Sequence, residues 1–157
     1  SGAGGAVAIA EIVKACPLLD DFRFSATRTD KEGCLSIAQA LLTLKSLKTL
    51  DLQDNSFSGK AGSLLAESLR GQSLLVYLNL RDAGLGADGT SLIIGALMDT
   101  QQRLEYLDLS GNDMESEQAE ELSTLLQCPH MSGLKDLSID DNEIGSEGAT
   151  FLADGVK

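Results

Sequence analysis

Five times along the 157-residue chain, apolar residues recur in the order apolar-x-x-apolar-x-apolar, and a small or polar residue follows three positions later. The five stretches begin at Leu19, Leu47, Leu75, Leu104 and Leu134, so successive copies lie 28, 28, 29 and 30 residues apart. Alternate residues of a strand point the same way. The second and third apolar positions are therefore predicted to enter a core: Phe22 and Phe24, Leu50 and Leu52, Leu78 and Leu80, Leu107 and Leu109, Leu137 and Ile139. Short strands centred on Phe22, Leu50, Leu78, Leu107 and Leu137 follow from this.

The ninth residue of a copy is Asn55, Asn112 or Asn142 in three units, with Thr27 and Ala83 in the other two. An amide there can bond turn backbone that would otherwise lack a partner. Two residues on stand Phe57, Leu85, Met114 and Ile144, with Thr29 in the first unit, placed to plug the core from the loop. Small residues recur next, at Gly33, Gly62, Gly89, Ala119 and Gly148, and each opens a stretch with helical spacing. Ile37, Ala38, Leu41 and Leu42 share one face, and residues 61–69, 92–97 and 122–126 repeat the idea. Each unit thus reads as strand, loop and helix, at the long end of the leucine-rich-repeat period. Stacked units predict an α/β solenoid with a parallel sheet on its concave face and helices on its convex face.

The two ends carry partial units. Residues 2–13 align with the loop-and-helix half of a repeat, and residues 148–155 look like a helix cut short. Neither end offers an obvious polar cap, which solenoids need. Residues 1–157 are expected to form a single leucine-rich-repeat domain of about five repeats plus a partial N-terminal one, an internal or C-terminal piece of a longer protein.

Composition narrows the function classes. Twenty-eight leucines, 43% apolar and 23% charged residues exclude a disordered chain. Cys16, Cys34 and Cys128 are odd in number and form no CxxC, which argues against a disulfide framework or a zinc site and for a reducing compartment. The net charge of −12 is unevenly spread. Residues 1–81 hold 9 basic and 8 acidic side chains, whereas residues 82–157 hold 3 and 16, so +1 and −13 sum to −12. Nucleic acid and anionic membrane are repelled by the second half, and a basic protein is steered toward it. Such charge also serves solubility alone.

The register stacks the strand residues into columns. One holds Asp21, Thr49, Tyr77, Tyr106 and Asp136; the next holds Arg23, Asp51, Asn79, Asp108 and Ser138. Beyond them come Ser25, Gln53, Arg81, Ser110 and Asp140, then Ala26, Asp54, Asp82, Gly111 and Asp141. Asp51, Asp54, Asp82 and Asp108, bordered by Tyr77 and Tyr106, are the candidate partner-binding residues. The acids are expected to form one exposed ridge that pairs with Lys or Arg, while the tyrosines supply rigid contact area. Any folded solenoid also carries polar residues at such positions.

A self-contained active site is not expected. His130, the one histidine, follows Cys128 and Pro129 at a helix-to-strand junction, with no orienting third group to make a nucleophile–base pair. Gly84, Gly86 and Gly89 match G-x-G-x-x-G, but the repeat accounts for them. No metal-ligand cluster or phosphate loop is present in the pattern, so neither metal nor cofactor is expected.

Residues 142–149 (Asn-Glu-Ile-Gly-Ser-Glu-Gly-Ala) resemble the ribonuclease-inhibitor type of leucine-rich repeat. Residues 8–13, 17–23, 25–28, 50–57 and 109–113 are similar to Ran GTPase-activating proteins, particularly the plant type. Residues 22–28 (Phe-Arg-Phe-Ser-Ala-Thr-Arg), which depart from the repeat consensus, are the more telling part of that likeness. The resemblance implies a crescent that docks a Ran-type small GTPase; a monomer in the cytoplasm or at the periphery of the nuclear envelope is the expectation. It implies help in ordering the GTPase's own glutamine rather than insertion of an arginine. The family's catalytic asparagine falls by register before Ser1, so no catalytic residue is assigned here. The alternative is a non-catalytic interaction scaffold, ribonuclease-inhibitor-like or a ciliary or cytoskeletal adaptor.

Overall fold

A computed structural model of the chain describes residues 2–25 and 30–155. The expectations placed on Ala26, Thr27 and Thr29 lie outside the described residues. Helix α1 (Gly2–Ala15) precedes strand β1 (Asp21–Arg23), and the alternation continues with α2 (Lys31–Leu41), β2 (Thr49–Asp51), α3 (Lys60–Arg70), β3 (Tyr77–Asn79), α4 (Gly86–Asp99), β4 (Tyr106–Asp108), α5 (Ser116–Leu126), β5 (Asp136–Ser138) and α6 (Gly145–Gly155). A 3-10 turn, Pro129–Met131, leads into β5.

The strands form one parallel sheet in chain order, β1 to β5. Phe22, Leu50, Leu78, Leu107 and Leu137 are partners across it, as the spacing predicts. Each helix packs on the next, from α1 on α2 through to α5 on α6. Between sheet and helices lies the core. Leu50, Leu52, Leu78, Leu80, Leu107 and Leu109 are fully buried, and Phe57, Leu85 and Met114 plug it from the loops. Leu137, Ile139 and Ile144 of the last unit are half-buried.

The small residues have a steric reason. A Cβ on Gly62 would stand 2.7 Å from the Phe57 carbonyl oxygen, and one on Gly148 would stand 2.9 Å from Ile144 Cβ. The plugging residue, by its backbone at Phe57 and its side chain at Ile144, crowds the helix start, and only a small residue leaves room. Two details differ from expectation. Leu42 is half-buried because it caps α2 rather than continuing its face. Leu92 is exposed, and Ile93, Ile94, Ala96 and Leu97 form the buried face of α4. Helix α6 spans Gly145–Gly155, the same 11 residues in length as α2, α3 and α5.

The asparagines tie the loops together. Asn112 Nδ2 donates to the carbonyls of Leu80 (2.7 Å), Ser110 (3.0 Å) and Leu109 (3.2 Å), while its Oδ1 accepts the Leu85 N–H at 3.2 Å. Asn55 donates likewise to Phe24, Leu52 and Gln53. Ala83 has no amide to offer, and there the main chain substitutes: the Phe57 N–H donates to the Ala83 carbonyl at 2.7 Å. That close approach needs Gly84, whose φ is +71° and whose Cβ, if present, would meet Ser56 Cα at 2.9 Å.

Candidate functional site

Parallel strands bring side chains of one column to neighbouring positions about 4.8 Å apart on the sheet's free face. Tyr77 and Tyr106, partners in β3 and β4, stack with ring centroids 4.2 Å apart and planes within 8°. Both remain partly exposed, so the pair is a surface feature rather than core. The Arg23 guanidinium lies 5.7 Å from the Tyr77 centroid, within cation–π range, and donates to Asp21 from Nε at 3.0 Å and Nη2 at 3.4 Å.

Burial pushes the Tyr106 phenol up to about 12, reinforced by the Tyr77 hydroxyl and the Asp108 carboxylate. At neutral pH it is a donor, and its hydroxyl lies 3.5 Å from Asp108 Oδ2.

The expected acidic ridge is corrected in two ways. Asp51 and Asp108 are not exposed: they keep 7% and 4% of their surface. Each closes a local turn, with the Gln53 N–H donating to Asp51 Oδ1 at 3.2 Å and the Ser110 N–H to Asp108 Oδ1 at 2.9 Å. Asn79 does the same for the Arg81 N–H at 3.0 Å, which shows that this position needs a side-chain oxygen more than a charge.

Asp54 and Asp82 are the more accessible pair, and they have a backbone role. Their φ values of +57° and +48° lie in the left-handed region, shared by Gly111 (+68°) and Asp141 (+53°) at the same register. Among residues with a Cβ, Asp and Asn tolerate that region best. The second correction is Arg81, which stands among the acids. Its guanidinium lies 3.4 Å from Asp141, 3.7 Å from Asp108 and 3.9 Å from Asp82, so the ridge is partly neutralised from within. Sequence columns contained Arg23, Arg81 and Asp136, but nothing in the spacing singled them out.

Away from this face, His130 is a structural tie. It is buried, and its Nε2 lies 2.8 Å from the Leu97 carbonyl oxygen, which fastens the turn before β5 to α4, the helix one unit back. Cys128 Sγ lies 3.6 Å from the Thr124 carbonyl oxygen of its own helical turn. The Cys34 thiol is buried beneath the next loop, where the Ser56 N–H reaches its sulfur at 3.3 Å, and burial raises its pKa.

Comparison with known proteins agrees with this architecture. Family models described as leucine-rich repeat match residues 43–66, 103–125 and 130–153. The ribonuclease inhibitor of Sus scrofa is 31% identical over 133 residues, covering 82% of this chain and 29% of the inhibitor. RAN GTPase-activating protein 2 of Arabidopsis thaliana is 33% identical over 129 residues, covering 82% of this chain and 23% of that protein. The chain therefore spans less than a third of either relative. Among solved structures, the tropomodulin C-terminal domain of Caenorhabditis elegans superimposes with a TM-score of 0.70 at 12% identity, covering 99% of this chain and 92% of that one, a likeness of fold.

Proposed function

This chain is a leucine-rich-repeat domain of the ribonuclease-inhibitor-like class, and we propose that it is one segment of a crescent that docks a protein partner against its parallel sheet. The observation that carries this reading is the stacked Tyr77–Tyr106 pair on the sheet's free face. Two rigid aromatic rings, left partly in solvent in the middle of a sheet, offer a partner broad contact area with polar tips. Arg23 and Asp136 flank them with charge suited to orienting a partner, and Asp54 and Asp82 lie further along, past the strand ends. Asp51 and Asp108 act beneath, by holding the strand ends.

For the partner we favour a Ran-type small GTPase. Support comes from the plant relative, whose name states that activity, and from the non-consensus stretch at residues 22–28. In that role the segment supplies docking contacts and rigidity in the cytoplasm or at the nuclear-envelope periphery, not a reacting group. Calorimetric titration of the chain with a GTP-analogue-loaded Ran-type GTPase tests the assignment, together with single-turnover GTP hydrolysis. Binding that Tyr106→Ala weakens, with little acceleration of hydrolysis by residues 1–157 alone, is expected. No heat of binding would withdraw the GTPase. A purely scaffolding role would then stand, favoured by the comparable match to the porcine inhibitor.

A further inference from the structure

The column Asp21–Thr49–Tyr77–Tyr106–Asp136 places two stacked rings between two carboxylates. On the β1 side the arrangement is filled by the protein itself. Arg23 lies over the Tyr77 ring and pairs with Asp21 through two nitrogens. On the β5 side a ring and a carboxylate recur, and Lys135, though near enough to feel Asp136, is paired with Glu105 instead. One face of Tyr106 is covered by Tyr77, and the other is turned toward the β5 column, where Asp136 is its strand partner.

Asp136 is exposed and makes no ion pair among the described residues. Its neighbour Lys135 is engaged with Glu105 at 2.8 Å, and Arg81 is engaged with Asp82, Asp108 and Asp141.

Resting on the reading of this sheet as a protein-docking face, we propose that Tyr106 and Asp136 form an arginine-binding subsite for a basic partner protein. The partner's guanidinium stacks on the free face of Tyr106 and pairs with Asp136, as Arg23 does with Tyr77 and Asp21. Arginine fits better than lysine because its planar group stacks on a ring and forks onto a carboxylate at once. Charge complementarity points to a basic protein, since residues 82–157, which contain the subsite, hold 3 basic and 16 acidic side chains.

The chain contains no tryptophan and two tyrosines, Tyr77 and Tyr106, so its tyrosine fluorescence reports on this row alone. Hexa-arginine and hexa-lysine peptides titrated into the full 157-residue chain provide the test. Hexa-arginine should give a saturable change at lower concentration than hexa-lysine. Asp136→Asn, an exposed substitution that leaves packing intact, should weaken it about fivefold, the size of an exposed charge contact. Arg23→Ala should tighten it, by opening the Asp21–Tyr77 side to a second guanidinium.

Equal responses to the two peptides, both indifferent to Asp136→Asn, would reduce the effect to diffuse attraction and overturn the subsite. So would an unchanged fluorescence throughout. GTPase binding that survives Asp136→Asn undiminished would also overturn it while leaving the docking face in place. If the GTPase does not bind but the peptide response is intact and sensitive to Asp136→Asn, the subsite stands and only the identity of the partner changes.

Discussion

The side-chain oxygen of Asn142 accepts the main-chain N–H groups of Asn112 at 3.1 Å and of Met114 at 2.9 Å, so one residue of the last unit holds the loop of the unit before it. Asn112 in turn reaches back to Leu85 and Leu80. Unit-to-unit stacking in this solenoid is therefore polar at the loops as well as apolar in the core.

Asn112→Ala should lower unfolding stability by about 2–4 kcal/mol, because it strands several buried backbone groups, each worth about 1–3 kcal/mol when left unpaired. Asn142→Ala should cost less, since its surroundings are partly open to water. Urea unfolding of the two variants provides the comparison, and equal losses would contradict it.

Gly84 and Gly86 share a φ of +71°, but their surroundings differ. A Cβ on Gly84 meets Ser56 and Asn55 backbone, whereas one on Gly86 meets nothing within 4 Å. Gly86→Ala should cost about 1–2 kcal/mol, the left-handed penalty alone. Gly84→Ala should cost clearly more and should loosen the β2–β3 loops, seen as faster amide exchange at Phe57.

Asp108→Ala should destabilise by about 1.5–3 kcal/mol, because a buried carboxylate that accepts the Ser110 N–H is removed. Asp82→Asn should stay within about 0.5 kcal/mol, as Asn also tolerates positive φ and the lost ion pair is exposed. An Asp108→Ala variant that melts like the parent chain but associates more slowly with a partner would restore this residue to the binding surface.

The Tyr106 phenol titrates at about 12 in the folded chain against an ordinary value of 10.0. The folded state holds the proton more tightly, so this contribution to stability is complete below pH 10 and is lost as pH rises from 10 toward 12. Tyr106→Phe should flatten the fall in stability across that window. Denaturant titrations at stepped alkaline pH, with both chains falling in parallel, would speak against it.

Thiol labelling should proceed in the order Cys16, Cys128, Cys34, following exposed, half-buried and buried positions. Burial also keeps the Cys34 thiol protonated, which slows it further. Mass-resolved labelling in which Cys34 reacts alongside Cys16 would mean that the loop over it opens readily.

The sequence by itself determined the strand centres at Phe22, Leu50, Leu78, Leu107 and Leu137, the loop plugs and the small residues beneath them. These depend on period alone, and a unit's own residues suffice to read it. It also located Tyr77 and Tyr106 in one column. Only the tertiary structure decided that Asp51 and Asp108 are covered while Asp82 and Asp136 are not, because coverage depends on which side chains of other units lie over each column. Arg81 joins Asp141 from 60 residues away, and Arg23 crosses β2 to reach Tyr77. Neither contact is encoded in a local pattern. A repeat specifies where each side chain starts, and a long flexible side chain settles where charge, ring and space meet once all the strands are side by side.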